Sequence, residues 1–167
     1  YYVGSNASTN QTACGLGTYQ PDTGQSSCMD ADPGHYVQSS GSADQNPCST
    51  GTYQPSSGQS SCLDADPGHY VEYNASTNQT ACLAGTYNPQ SGSNSSAACL
   101  DADPGYYVDS SASANQTACL AGTYNSQSGS NSSAACLDAD PGYYVGSNAS
   151  TNQTACGLGT YQPDTGQ

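Results

Sequence analysis

Large apolar residues in this chain come singly or in clusters of up to three, mostly behind glycines, never in long runs. The recurring segments are Gly-Thr-Tyr, as at residues 51–53, and Gly-Tyr-Tyr-Val, as at residues 105–108. Aromatic and β-branched residues at that density predict short β-strands. Pro-Gly, Ser-Gly and Thr-Gly pairs on either side predict tight turns. No stretch carries apolar residues at helical spacing over a useful length. The pattern therefore predicts small two-stranded ladders, turns and Asx-type loops strung end to end, with no helices of note.

Cysteines set the period of this pattern. They fall at Cys14, Cys28, Cys48, Cys62, Cys82, Cys99, Cys119, Cys136 and Cys156, with gaps of 14, 20, 14, 20, 17, 20, 17 and 20 residues. Two cysteines mark each unit, and the units are 34, 34, 37 and 37 residues long. The extra length lies in one loop, where residues 20–28 (QPDTGQSSC) become residues 88–99 (NPQSGSNSSAAC). A finer repeat lies inside each unit: residues 85–99 and 105–119 both run from Gly-x-Tyr through a Ser/Gly/Asn-rich stretch to a cysteine. Residues 1–25 recur unchanged as residues 143–167, so the chain reads as a window on a longer polymer. The organisation is a partial repeat over 1–13, repeats over 14–47, 48–81, 82–118 and 119–155, and a partial repeat over 156–167. Periods of this size mark tandem arrays in which each unit leans on its neighbours. The expected fold class is a small disulfide-rich, mostly β/turn, linear array, elongated as a rod or filament.

Composition narrows the class further. The chain has no Lys or Arg against 13 acidic residues, and no Trp or Phe. Tyr, Leu and a few Val are the large apolar groups, too few for an isolated unit to offset its ordering entropy without bridges and neighbours. The repeat tyrosines, Tyr19, Tyr36, Tyr53, Tyr70, Tyr87, Tyr107, Tyr124, Tyr144 and Tyr161, are expected to pack on the bridge or leucine of the adjacent half-unit. Sugar stacking is the sharper alternative for exposed ones.

Nine regularly spaced cysteines point to an oxidising, extracellular or cell-surface setting. Zinc sites need short Cys-x-x-Cys pairs, and the sequence has none. The residues leave two pairings open. Bridges across the short loop leave Cys156 over, and bridges across the long loop (Cys28–Cys48, Cys62–Cys82, Cys99–Cys119, Cys136–Cys156) leave Cys14 over.

Cys82-Leu-Ala-Gly-Thr-Tyr running to Cys99, and Cys48-Ser-Thr-Gly-Thr-Tyr running to Cys62, resemble the C-x-x-G-T-Y…C signature of ephrin-receptor-like and TNF-receptor-like cysteine-rich repeats. The resemblance implies that the cysteine before Gly-Thr-Tyr closes on the next one. The implied pairs are Cys14–Cys28, Cys48–Cys62, Cys82–Cys99 and Cys119–Cys136. Where that family often has a second C-x-x-C-P-G-x-Y, this chain has Cys99-Leu-Asp-Ala-Asp-Pro-Gly-Tyr, so the second half-unit lacks its bridge. Similar repeats occur in long surface and fibre-like proteins of microbes.

Asn-x-Ser/Thr acceptors stand at Asn6, Asn10, Asn74, Asn78, Asn94, Asn115, Asn131, Asn148 and Asn152. In an extracellular bridged array they predict N-glycans, which would shield a thin chain with little core. The competing reading makes them turn residues. Asp-x-Asp-Pro-Gly recurs at Asp30/Asp32, Asp64/Asp66, Asp101/Asp103 and Asp138/Asp140. These pairs are weak Ca²⁺ candidates through hard oxygen donors, set against a Pro-cornered turn.

Catalysis is not expected. His35 and His69 occupy the place that Tyr106 and Tyr143 hold in other units, so they are packing or surface residues rather than general bases. The chain has no phosphate loop, and an acidic surface repels nucleic acid. No cofactor is expected beyond covalent glycans and Ca²⁺, and this window contains no membrane span. The sequence predicts a structural component of an extracellular glycan-coated filament whose partners are copies of itself and glycans. A receptor or adhesin stalk and a calcium-dependent adhesive array are the alternatives.

Overall fold

A backbone turn made by every half-unit organises the chain in the computed structural model, which describes residues 1–4 and 10–167. In the half-units with Asp-Pro-Gly, the N–H of His35 donates to Asp32 O at 2.9 Å and that of Tyr106 to Asp103 O at 3.0 Å. Proline fills the first corner and a glycine of positive φ the second (Gly34 81°, Gly105 89°), which is the geometry of a type II turn. Half-units that open on cysteine make the same turn without proline. Thr52 N–H donates to Ser49 O at 3.0 Å, and the Thr52 hydroxyl donates to that same carbonyl at 2.8 Å.

Behind each turn from Gly17 to Gly142 runs a two-residue strand that pairs with a second one from the same half-unit. Among the described residues, sixteen such strands form eight separate antiparallel pairs. Thr18–Tyr19 pairs with Met29–Asp30, His35–Tyr36 with Asn46–Pro47, Thr52–Tyr53 with Leu63–Asp64, and Thr86–Tyr87 with Leu100–Asp101. His69–Tyr70 with Thr80–Ala81, Tyr106–Tyr107 with Thr117–Ala118, Thr123–Tyr124 with Leu137–Asp138, and Tyr143–Tyr144 with Thr154–Ala155 complete the set. The extra residues of the long loops form 3₁₀ turns, Ser96–Ala98 and Ser133–Ala135, the second capped by the Ser132 hydroxyl. No α-helix occurs among the described residues.

Burial shows the half-unit to be the structural brick. Cys14, Ala31, Cys48, Ala65, Cys82, Ala102, Cys119 and Ala139 are all buried and take the same place in successive bricks. Cys-bricks and Ala-bricks therefore alternate. Six residues further on stands a second buried position: Gln20, Gln54, Asn88 and Asn125 in Cys-bricks, Val37, Val71, Val108 and Val145 in Ala-bricks.

The core thus differs from the expected one. Leu63, Leu83, Leu100, Leu120 and Leu137 are 47%, 74%, 48%, 68% and 53% exposed, whereas the strand tyrosines before Tyr143 are largely but not fully buried. In Cys-bricks the tyrosine lies opposite an apolar residue of its own brick, Tyr19 to Met29, Tyr53 to Leu63, Tyr87 to Leu100 and Tyr124 to Leu137, while Tyr107 of an Ala-brick shares a groove with Leu120 and the Cys119–Cys136 bridge of the next brick. Neighbouring backbones come so close that only Cys, Ala, Val or a hydrogen-bonded amide fits between them.

Two compact units are present. The first comprises Tyr1–Asp66, Tyr70–Thr80 and Ser91–Ser96. Its last segment belongs there because Gly92 N–H donates to Ala65 O at 2.8 Å and Val71 N–H to Ser93 O at 2.9 Å. The second comprises Pro67–His69, Ala81–Gln90 and Ala97–Gln167. Within it Gly129 N–H donates to Ala102 O and Ala149 N–H to Cys119 O, both at 2.8 Å.

The apex of the brick is a second left-handed position, held by Gly24, Gly58, Gly92 and Gly129 in Cys-bricks, by Gly41 in the first Ala-brick and by Ala75, Ala112 and Ala149 in the later ones, the alanines at φ of 57°, 63° and 58°. Alanine is strained there by the clash of Cβ with the following carbonyl. Ala75→Gly is expected to raise stability by about 1 kcal/mol, read from the urea midpoint at unchanged slope. A loss of stability would show that the methyl makes a compensating contact.

Candidate functional site

The feature repeated most faithfully is the junction between bricks. In the first unit Gly17 N–H donates to Val37 O, Gly34 to Gln54 O and Gly51 to Val71 O, at 2.8, 2.7 and 2.8 Å. In the second, Gly68 donates to Asn88 O, Gly85 to Val108 O, Gly105 to Asn125 O and Gly122 to Val145 O, at 2.7, 2.7, 2.7 and 2.8 Å. Each of these glycines also accepts, through its own carbonyl, from the buried Cys or Ala that opens the next brick, as where Ala65 N–H donates to Gly51 O at 2.8 Å. A side chain has no room at this position. A Cβ on Gly85 would stand 2.6 Å from Gly129 O, and one on Gly51 would meet Gly92 O.

The buried amides complete the junction. Asn125 Nδ2 donates to Tyr106 O and to Ser130 Oγ, both at 2.9 Å, while its Oδ1 accepts from Gln127 N–H at 3.0 Å. Asn88 Nδ2 donates to His69 O at 2.9 Å. Gln54 Nε2 turns back to Ser61 O within its own brick, also at 2.9 Å. Sequence reasoning missed this role. The available signal was that Gln and Asn fill the place after Gly-Thr-Tyr where the other half-unit has Val.

Each Cys-brick is closed by a bridge: Cys14–Cys28, Cys48–Cys62, Cys82–Cys99 and Cys119–Cys136, with Cα–Cα distances of 5.7, 5.8, 5.6 and 5.5 Å. Cys156 is unbridged and half-buried. Ala-bricks carry a polar clasp where the bridge would be. Gln45, Gln79, Gln116 and Gln153 follow the buried alanine by the 14 residues that separate Cys14 from Cys28. Gln79 Nε2 donates to Asp66 Oδ2 at 2.6 Å, and its Oε1 accepts from Asp66 N–H at 2.7 Å. Gln45 with Asp32, Gln116 with Asp103 and Gln153 with Asp140 repeat both contacts. The expected gap in the second half-unit is therefore filled by a two-bond side-chain clasp.

That clasp defines the surroundings of the Asp pairs. The second aspartate of each, Asp32, Asp66, Asp103 and Asp140, has one carboxylate oxygen committed to glutamine. The first, Asp30, Asp64, Asp101 and Asp138, lies on the return strand beside an apex glycine. Among the described residues no three His, Cys, Asp or Glu side chains are grouped to hold a metal. His35 and His69 place Nδ1 at 3.3 and 3.2 Å from the Pro33 and Pro67 carbonyls of their own turns.

Eight of the nine sequon asparagines lie among the described residues, and all eight are exposed: Asn10, Asn74, Asn78, Asn94, Asn115, Asn131, Asn148 and Asn152. Asn6 lies outside them. Asn74 Oδ1 accepts from Thr50 N–H at 3.1 Å and Asn148 Oδ1 from Ala121 N–H at 2.9 Å. Both contacts use the oxygen, so the nitrogen that an N-glycan would occupy is not needed for them. Among the described residues no helix is long and apolar enough to cross a membrane.

Short hairpins, four bridges and a repeated brick define a small disulfide-rich, mostly β/turn repeat protein. Residues 34–82 match the family model described as tyrosine-protein kinase ephrin type A/B receptor-like. Over this stretch the match supports ephrin-receptor-like cysteine-rich repeats, and the bridge pattern recurs on both sides of it. Nothing among curated proteins matches the chain. The family match together with the bridges indicates an extracellular module.

Proposed function

We propose that this chain is a structural, non-catalytic component of an extracellular filament with a glycan coat. The observation that carries the reading is the glycine-to-carbonyl junction. Its donor, acceptor and buried small residue are present in brick after brick, so the array lengthens by repetition without a specialised connecting surface. Exposure of the described sequons suits the coat, and the absence of lysine and arginine removes trypsin-type cleavage sites from a durable fibre.

Cryo-electron microscopy of the native object, with intact-mass measurement, tests both halves. Helical or end-to-end continuity of the bricks and extra mass at the sequons are the expected results. An isolated array ending in an unrelated folded domain would overturn the filament. Bare asparagine at all nine sequons would overturn the coat. The second reading is a spacer in a cell-surface receptor, which the match over residues 34–82 favours. The domain-terminated outcome would establish it.

A further inference from the structure

A groove of about 210 Å³ in the second unit is lined by Tyr107, Cys119, Leu120, Thr123, Ser133 and Cys136 among others. An aromatic ring, a disulfide, a leucine and two hydroxyl-bearing residues form its walls. No charged side chain lines it, in a protein of net charge −13. Such a surface suits a neutral ligand with an apolar face and hydroxyls at its edge, which describes a pyranose ring.

The structure also sets an attachment point beside it. Val108, next to Tyr107, donates its N–H to Ser130 O at 2.9 Å and accepts from Gly85 N–H at 2.7 Å. Asn131 follows Ser130 and is exposed, and its Cβ lies 3.5 Å from where a Cβ on Gly85 would stand. Ser132 is extended, with φ −157° and ψ 149°. Ser133, two residues after Asn131, lines the groove. Asn131-Ser132-Ser133 is a sequon.

We infer that this groove seats the first N-acetylglucosamine of a glycan on Asn131, with a face of the sugar against the Tyr107 ring and the Cys119–Cys136 bridge. The inference rests on the glycan-coat reading. A corresponding groove of about 280 Å³ in the first unit is lined by Tyr36, Thr52, Ser60, Ser61 and Cys62. There Val37 N–H donates to Gln59 O at 3.0 Å, and the next residue is Ser60 instead of asparagine. The shorter loop therefore builds the groove without the attachment point, and the three-residue lengthening supplies the sequon along with the 3₁₀ turn.

The test uses the full chain secreted from a eukaryotic host that adds N-glycans, with Asn131→Gln and Tyr107→Ser singly and together. Glycopeptide mass spectrometry reads occupancy, thermal melting reads coupling, and NMR reads proximity of the first sugar to the Tyr107 ring in the unmutated protein. The expected result is an occupied Asn131 with sugar-to-ring NOEs. With Tyr107 in place, Asn131→Gln should lower Tm by about 2–4 °C, as a contact of aromatic-stacking strength gives in a chain of this length. In the Tyr107→Ser background the same change should leave Tm unaltered. Occupied Asn131 without NOEs and with equal Tm changes in both backgrounds overturns the seat and leaves the coat standing. Bare Asn131 with other sequons occupied does the same. Bare asparagine at every sequon overturns both. If Tyr107→Ser fails to fold, the NOE measurement decides alone.

Discussion

Gly51→Ala is expected to destabilise the protein by about 2–5 kcal/mol, the sum of two separable costs. Gly51 has φ +84°, a region in which an L-residue loses about 1–2 kcal/mol. Its new methyl would also be driven against Gly92 O, and overpacking of a close contact costs about 1–3 kcal/mol. The obstacle is backbone, so no side-chain rotamer relieves it. Two further variants separate the contributions. Gly24 has φ +74°, and a methyl there would have nothing within 4 Å, so Gly24→Ala should lose only the conformational part, about 1–2 kcal/mol. Gly15 has neither constraint, and Gly15→Ala should stay within about 0.5 kcal/mol of the parent. Urea unfolding of the three variants checks the order. Equal losses at Gly51 and Gly24 would show that the junction opens without cost.

Breaking one bridge by Cys48→Ala with Cys62→Ala is expected to cost about 2–5 kcal/mol. The buried site itself tolerates alanine, since Ala65 fills the same place in the next brick with no exposed surface. What is lost is the closure of a 14-residue loop, which in the chain-entropy account acts by restricting the unfolded chain. Gln79→Ala removes the corresponding clasp in an Ala-brick. Its two hydrogen bonds to Asp66 are exposed, so the expected loss is smaller, about 0.5–1.5 kcal/mol. Thermal or urea unfolding of the two variants under oxidising conditions compares them. A clasp variant as damaging as the bridge variant would contradict this ranking. Alternation of strong and weak staples gives the array covalent closure once per pair of bricks while the junction bonds continue through both.

Much of the local structure was legible because it is made locally. Asp-Pro-Gly and Gly-Thr-Tyr encode a turn and the strand behind it within six residues, and a proline followed by a left-handed glycine leaves few other conformations. The leucines were misplaced for the opposite reason. Hydrophobicity suggested that they form the core, yet backbones separated by little more than a hydrogen bond leave no volume for them. The Gln–Asp clasp was hidden for a related reason. Gln79 and Asp66 are 13 residues apart, and nothing in either residue type announces a partner at that distance.

By itself the sequence determined the period, the cysteine spacing, the turns and the two-residue strands, because each depends on neighbours along the chain. Tertiary structure alone decided which glycines admit no side chain, that alanine and glutamine stand in the place of a bridge, that buried asparagines link successive bricks, and that Ser133 of a sequon lines the Tyr107 groove. Those outcomes depend on how closely one brick approaches another, a distance fixed by backbone hydrogen bonds between residues about twenty positions apart.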